Sequence, residues 1–405
     1  QSDAVEFKSN ATIVDYGAVR SHKTNMLQTA FANFMSNSQL KAELDAFVAK
    51  TSWAYNYAVF VTFKKANQHK AWNLWPSEYK SWIKDKKLDL SAYKEQIDYE
   101  LFLQFIFSRQ WLELKAYANS KNIEIMGDIP IYLGFDSLDV WENQDMFLLD
   151  AEQNPTFVAG VPPDYFSVTG QRWGNPIYNW ENLAKTNFKF WIDRLQGNMQ
   201  AFDIIRIDHF RAFDTYWQIP ASCPTAIDGE WVEAPGYALF DAIYKELPEI
   251  KIVVEDLGDL RPEVLELRDH YKLPGMQIFQ FVFDVHGNNS KLKELVNTII
   301  YTGTHDNSTL MGWYWSLNTW NRKLLKRFFK ANDVTITHKM LQYSLNCNAS
   351  YVIFPAQDIL GLAEYARMNF PSTIGSPNWE WKMANLAGLK AEATWLGAAV
   401  AKSGR

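Results

Sequence analysis

Two hydrophobic periods divide this chain. In DYGAVRSHKTNMLQTAFANFM, residues 15–35, the apolar positions Val19, Met26, Leu27, Ala30, Phe31 and Phe34 recur at helical spacing, which predicts an amphipathic helix. The same spacing predicts a second helix over roughly Glu43 to Lys65. A third covers EQIDYELFLQFIFSRQWLELKAYANS, residues 95–120, with Ile97, Leu101, Phe105 and Leu112 near one face. Residues 1–120 therefore read as helical, and they carry no catalytic cluster.

From residue 122 the pattern shortens into apolar runs separated by helical segments, as in repeated β/α units with a parallel sheet. The runs are NIEIMGDIP (122–130), FDIIRID (202–208), IKIVVED (250–256), GMQIFQFVF (275–283), NTIIYTGTHD (297–306) and ASYVIFPAQD (349–358). Between the first two lies VAGVPPDYFSVTGQRWGNPIYNW, residues 158–180, rich in Gly, Pro and aromatic residues. Its aromatics need somewhere to pack, so it reads as a long ordered loop rather than a linker.

Several of the strand-like runs carry an acidic residue at their close: Asp128, Asp208, Glu255 and Asp306. In a parallel β/α barrel such residues gather at one mouth, where barrel enzymes place their chemistry. Grouped carboxylates repel one another and raise at least one pKa. Glycoside chemistry uses that arrangement, with one carboxylate ionised as nucleophile and another protonated as general acid. Arg206 lies two residues before Asp208, so strand alternation turns both to one face and the guanidinium favours the ionised carboxylate. Glu255 closes the run IVV, where an apolar surround would raise its pKa and suit it to acid/base work. Each acid taken singly is equally well a helix cap or a loop charge, the same reading is open for Asp136, Asp256 and Asp259, and on spacing alone Asp256 rivals Glu255.

Composition narrows the alternatives. A net charge of -6 and the absence of a Lys/Arg cluster argue against a nucleic-acid partner. No apolar run approaches the roughly 18 residues that span a bilayer, so no membrane partner is expected. Only Cys223 and Cys347 are present, and such low cysteine use favours a reducing, cytoplasmic compartment. No zinc, nucleotide or phosphate-loop motif occurs, so neither cofactor nor metal is expected. An Asp-rich mouth holding Mg²⁺ is the physical rival to glycosidic chemistry. The chain has 17 Trp, 19 Tyr and 26 Phe. Most must build core, but Trp and Tyr also make flat platforms on which sugar rings stack.

The segments GDIPIYLGFDSLDVW, AGVPPDYFSVTGQRWGNPIY, RIDHFRAF, EDLG, LPGMQIFQF, GTHDN, QDILGL and ARMNFPST occur in an order that resembles the 4-α-glucanotransferases, or amylomaltases, of the α-amylase superfamily. The resemblance spans roughly Val14 to Trp381. It implies an α/β fold, a (β/α)8 TIM barrel, acting on malto-oligosaccharides and α-1,4-glucans. By position it makes Asp208 the nucleophile with Arg206 as its partner, and Glu255 rather than Asp256 the acid/base. Asp306, with His305 beside it, would stabilise the transition state. The same likeness makes Asp128 a sugar-contacting acid and places Tyr165, Gln171, Trp173 and Asn175 in the loop covering the bound glucan.

Family members begin with two β/α units carrying an LHPTSLPS-like segment and a GDSPYQ-like loop, and neither motif is present here. The resemblance therefore implies a barrel whose first two units are absent from this chain, a fragment of a longer protein or a natural truncation. Residues 1–120 become a helical insertion, and 121–405 the rest of the barrel with the 158–180 substrate loop. Three functions follow: a retaining transferase, an α-glucan hydrolase of the same chemistry, or a non-catalytic glucan-binding protein. Nothing in the sequence sets the oligomeric state.

Overall fold

The structure is a computed structural model that describes residues 12–405 except 164–166, 259, 287, 288, 290, 291 and 293. Lys23–Glu255 with Leu260–Tyr271 form one compact unit, and Lys272–Arg405 are the body of a second, which also takes the described residues up to His22 and the segment beginning at Asp256.

The first unit is helical at its start: α1 (Tyr16–Met35) from Lys23 onward, α2 (Ser38–Lys50), α3 (Ala54–Ala66), α4 (Ser77–Asp85) and α5 (Lys94–Asn119). The expected single helix from Glu43 to Lys65 is thus two. Thr51 leaves helical geometry with φ -112 and ψ 87, while its N–H still closes on the carbonyls of Phe47 and Val48. Thr51 and Ser52 are poor interior helix formers, and the apolar period continuing across them hides the break. On α5 the buried residues Ile97, Glu100, Leu101, Phe102 and Phe105 all fall in its first half. Leu112, expected on that buried face, is 46% exposed.

Aromatic packing supplies much of this unit's core, as the bland reading of the composition required. Phe63 contacts Trp75, Tyr79, Trp82, Tyr93 and Trp141 edge-on at 4.9–6.1 Å between centroids. The indole N–H groups of Trp72, Trp75 and Trp141 each donate to a backbone carbonyl, so burying them leaves no donor unsatisfied.

Six short parallel strands correspond to the six apolar runs. In the first unit β1 (Met126–Pro130), β4 (Ile204–Asp208) and β7 (Ile252–Val254) form a parallel sheet in the order β1-β4-β7. In the second, β8 (Gly275–Ile278), β9 (Thr298–Tyr301) and β10 (Tyr351–Ile353) form another, ordered β10-β9-β8. Ile204, Ile205, Ile207, Ile252, Val253 and Val254 are all at most 4% exposed. Such near-continuous apolar runs mark strands covered on both faces. The run 275–283 is only half strand, because Phe279–Val282 form a helix in which Phe279 stacks on Phe283 at 4.9 Å. An apolar run of that length does not distinguish the two states.

The expected loop 158–180 instead contains two strands, β2 (Phe157–Val161) and β3 (Gln171–Pro176). With β5 (Thr215–Pro220) and β6 (Glu230–Glu233) they make a four-stranded antiparallel sheet ordered β3-β2-β5-β6. Helix α6 (Leu138–Glu142) precedes this sheet in sequence. Helices α7 (Trp180–Lys185) and α8 (Lys189–Ala201) lead back to β4.

In the second unit Asp358 is 1% exposed and accepts bonds from the Thr302 hydroxyl at 2.6 Å and the Leu310 N–H at 2.7 Å. Burial outweighs those bonds and pushes its carboxyl up from 3.8 to about 6. The folded state then holds a proton that the unfolded chain has lost, so stability falls as pH rises from about 4 through about 6. That change is worth about 3 kcal/mol. In urea titrations Asp358→Asn should gain about 2–3 kcal/mol relative to the parent between pH 4 and pH 7. A difference that stays flat across that range would show that the carboxyl is not held protonated.

Candidate active site

β4 sets the geometry. Ile205 and Ile207 face one side of the sheet, while Arg206 and Asp208 share the other, partly open at these two positions, with the buried Ile204. The parallel register places Asp128 of β1 opposite Arg206. Nη1 of Arg206 donates to both oxygens of Asp128 at 2.7 and 2.8 Å. Nη2 lies 2.9 Å from Oδ1 of Asp208. The guanidinium is 11% exposed, whereas the two carboxylates are 51% and 47% exposed. Burial disfavours the charge on Arg206, but Asp128, Asp208 and Glu255 outweigh it and raise its pKa further. The predicted pairing is therefore present, with Asp128 added. Asp128 stands in mid-strand rather than at a strand end, two residues before Pro130.

Glu255 directly follows β7 and is held by the turn after β4. His209 adopts the left-handed conformation, φ 55 and ψ 52, which turns its backbone N–H onto Oε2 of Glu255 at 2.9 Å. The N–H of Phe210 donates to the Glu255 carbonyl at 2.9 Å, and Glu255 donates its own N–H to Ile207 at 2.9 Å. Phe210, Ala212 and Phe213, all at most 1% exposed, anchor the turn in the core.

Asp256, the rival on spacing, is otherwise engaged. It is 5% exposed and accepts the Met276 N–H at 2.7 Å. Gly275 permits this approach, since a Cβ there would sit 2.3 Å from the Asp256 carboxylate.

Gln171 and Trp173 lie at alternate positions of β3 and share one face, whereas a register shift and the left-handed Gly174, φ 82, interrupt the alternation before Asn175. Trp173 is 39% exposed. Its ring meets the His209 imidazole edge-on at 4.9 Å, and its N–H reaches Oε1 of Gln171 at 3.2 Å. The indole therefore flanks the turn that carries Asp208 and holds Glu255. Burial, with Arg211 nearby, pushes the His209 imidazole down to about 4, so the ring is neutral at pH 7. Asn175 gives its side-chain N–H to the Leu133 carbonyl at 2.9 Å. Tyr165 lies outside the described residues.

In the second unit His305 and Asp306 stand in the loop after β9, beyond the strand end at Tyr301. Asp306 accepts from the Asn369 amide at 2.6 Å, and its carbonyl accepts from Arg367 at 2.7 Å. His305 Nε2 lies 3.4 Å from Asp306, and its ring is 5.0 Å from that of Trp379. Arg367, Asn369 and Trp379 were not singled out from the sequence. Arg367 and Asn369 lie in ARMNFPST, but their contacts with Asp306 cross more than sixty positions.

Parallel strands that carry carboxylates around a buried arginine, beside an exposed tryptophan, define an α/β enzyme suited to glycosidic bonds. The sequence profile of the 4-alpha-glucanotransferase family, glycoside hydrolase family 77, matches residues 1–387. The 4-alpha-glucanotransferase of Streptococcus pneumoniae is 42% identical over 390 residues, covering 94% of this chain and 76% of that protein. That of Thermus thermophilus is 41% identical over 386 residues, 91% of this chain and 77% of that protein. Among solved structures, amylomaltase from Streptococcus agalactiae in complex with acarbose aligns with a TM-score of 0.92 at 34% identity. It covers 99% of this chain and 82% of that one. The chain belongs to the 4-α-glucanotransferase family and has its α/β fold.

Gly275→Ala should drive a methyl into the Asp256 carboxylate and cost about 1–3 kcal/mol in urea unfolding. Asp256→Asn, which keeps an acceptor for the Met276 N–H, should cost less. The reverse order would mean that Asp256 is not a structural pin.

Proposed function

We propose that this chain is a retaining 4-α-glucanotransferase acting on α-1,4-glucans and malto-oligosaccharides, with Asp208 as nucleophile and Glu255 as acid/base. The observation that carries the reading is the pairing of one carboxylate with a buried guanidinium while its neighbour across the sheet is aimed by a backbone N–H. The two acids thus sit in different electrostatic settings, as a double displacement requires.

The ionised Asp208 attacks the anomeric carbon while Glu255 protonates the glycosidic oxygen, and the shortened glucan leaves. The glycosyl ester on Asp208 is then attacked by the 4-hydroxyl of an acceptor glucan, whose proton returns to Glu255. Trp173 offers the ring face on which a glucosyl unit stacks, Gln171 and Asn175 supply polar groups, and Asp128 binds sugar hydroxyls while fixing Arg206. Asp306 binds hydroxyls of the distorted sugar, with His305 as its companion, and Asn369 orients its carboxylate. The proposed compartment is the cytoplasm, which the free thiols of Cys223 and Cys347 suit.

The test is the product ladder from pure maltotriose. Transfer yields glucose together with chains longer than the starting sugar, whereas glucose and maltose alone would identify a hydrolase. Asp208→Asn should lower the rate by more than about 1,000-fold, about 4 kcal/mol of transition-state stabilisation. Retention in an amylose gel should persist. A variant that keeps most of its rate would remove Asp208 from the nucleophile role.

A further inference from the structure

We propose that the groove between α2, α5 and α8 is an accessory, non-catalytic binding site for an α-glucan chain. The cavity has a volume of about 450 Å³, within the range of roughly 300–1,000 Å³ typical of small-ligand sites. All of its lining lies in the first unit.

Its walls carry two kinds of contact. Phe107 on α5 is 64% exposed and lies parallel to Trp111, with centroids 6.3 Å apart and an interplanar angle of 13°. Trp111 is itself fixed, because its indole N–H donates to the Ala201 carbonyl at 2.9 Å and its ring meets Phe202 at 5.8 Å. The pair is therefore a braced platform rather than a loose side chain. Trp53, 45% exposed at the start of α3, stands among the same lining residues. The second kind of contact is a polar rim: Gln104 and Ser108 lie one turn apart on α5, and Gln196 and Gln200 one turn apart on α8.

The charge distribution selects the ligand class. Lys189 is paired with Asp193 at 2.7 Å, which leaves Lys50 as the other ionic group among the described lining residues. A phosphorylated or nucleic-acid ligand would need several cations. An apolar peptide would bury the four amide and hydroxyl groups without partners, at a cost. A neutral polyhydroxylated chain, apolar on its ring faces and polar at its edges, meets both the platform and the rim. The choice of an α-glucan within that class rests on the transferase reading above. Tethering a polymer at a second point raises the local concentration of chain ends without any change at the reacting centre.

The experiment compares the chain with a Trp53→Ala/Phe107→Ala double variant, whose fold is checked by circular dichroism. Apparent Kd for amylose is read by native affinity electrophoresis, and turnover is read with maltotriose, too short to occupy both places. The groove should give at least about a fivefold weaker amylose Kd, about 1 kcal/mol, with maltotriose turnover within twofold. A Gln104→Ala/Gln200→Ala variant, which spares the aromatics, should weaken amylose binding in the same direction and serves if the first variant fails to fold. An unchanged amylose Kd overturns the proposal. So does a parallel loss of maltotriose turnover, which would assign these residues to the catalytic site. A change of oligomeric mass in light scattering with glucan affinity intact would also overturn it, in favour of a protein partner. If the parent binds amylose without turning over maltotriose, the transferase reading fails, and loss of binding in the variants still supports the groove.

Discussion

The guanidinium of Arg206 is the fixed charge shared by the acids of the first unit's parallel sheet. It is 11% exposed, it reaches across the sheet to Asp128 and along its own strand to Asp208, and it feels Glu255 as well. An arginine buried without such partners would be strongly destabilising. Equally, those carboxylates without it would repel one another. Arginine suits the position better than lysine because its planar fork supplies separate nitrogens to two acceptors and stays charged at every accessible pH. Everything that positions Arg206, namely the β1-β4 register and the three buried isoleucines of β4, therefore belongs to the site as much as to the core.

The two proposed catalytic acids are oriented by different devices. Asp208 is held by a side chain with a net charge, Glu255 by a backbone N–H in a turn anchored on Phe210 and Phe213. That difference gives one fold two carboxylates with separable behaviour, which acid/base chemistry at neutral pH needs. Asp256, one residue further on, shows the contrast: its carboxylate is spent on the Met276 N–H and is almost fully buried. Adjacent acids in one motif thus meet different partners, Glu255 the His209 N–H and Asp256 the Met276 N–H.

The parallel strands were legible because burial on both faces writes itself as an unbroken apolar run. The pairing of Arg206 with Asp208 was legible because a strand repeats every two residues. Arg206 with Asp128 was not, since that contact follows from a strand register set between residues 78 positions apart. The antiparallel sheet was missed for a related reason. QRWGNP contains glycine and proline and half of EWVE is charged, and they are strands only because β2 and β5 supply partners. The interruption at Thr51 was hidden by an apolar period that continues on both sides of it. Between Glu255 and Asp256 the residues themselves left a tie, and the family pattern favoured Glu255. The geometry adds the reason Asp256 is otherwise occupied.

The left-handed turn at His209 bears on how this site can change over time. Because the group that aims Glu255 is a peptide N–H, side-chain replacement at position 209 leaves the donor itself in place, and only proline would delete it. What must persist is a backbone shape, which Asn, Asp, His or Gly can adopt with little penalty. The orientation of the acid is thereby insulated from most drift at the neighbouring side chain, and the imidazole is left free to be selected for its contact with Trp173.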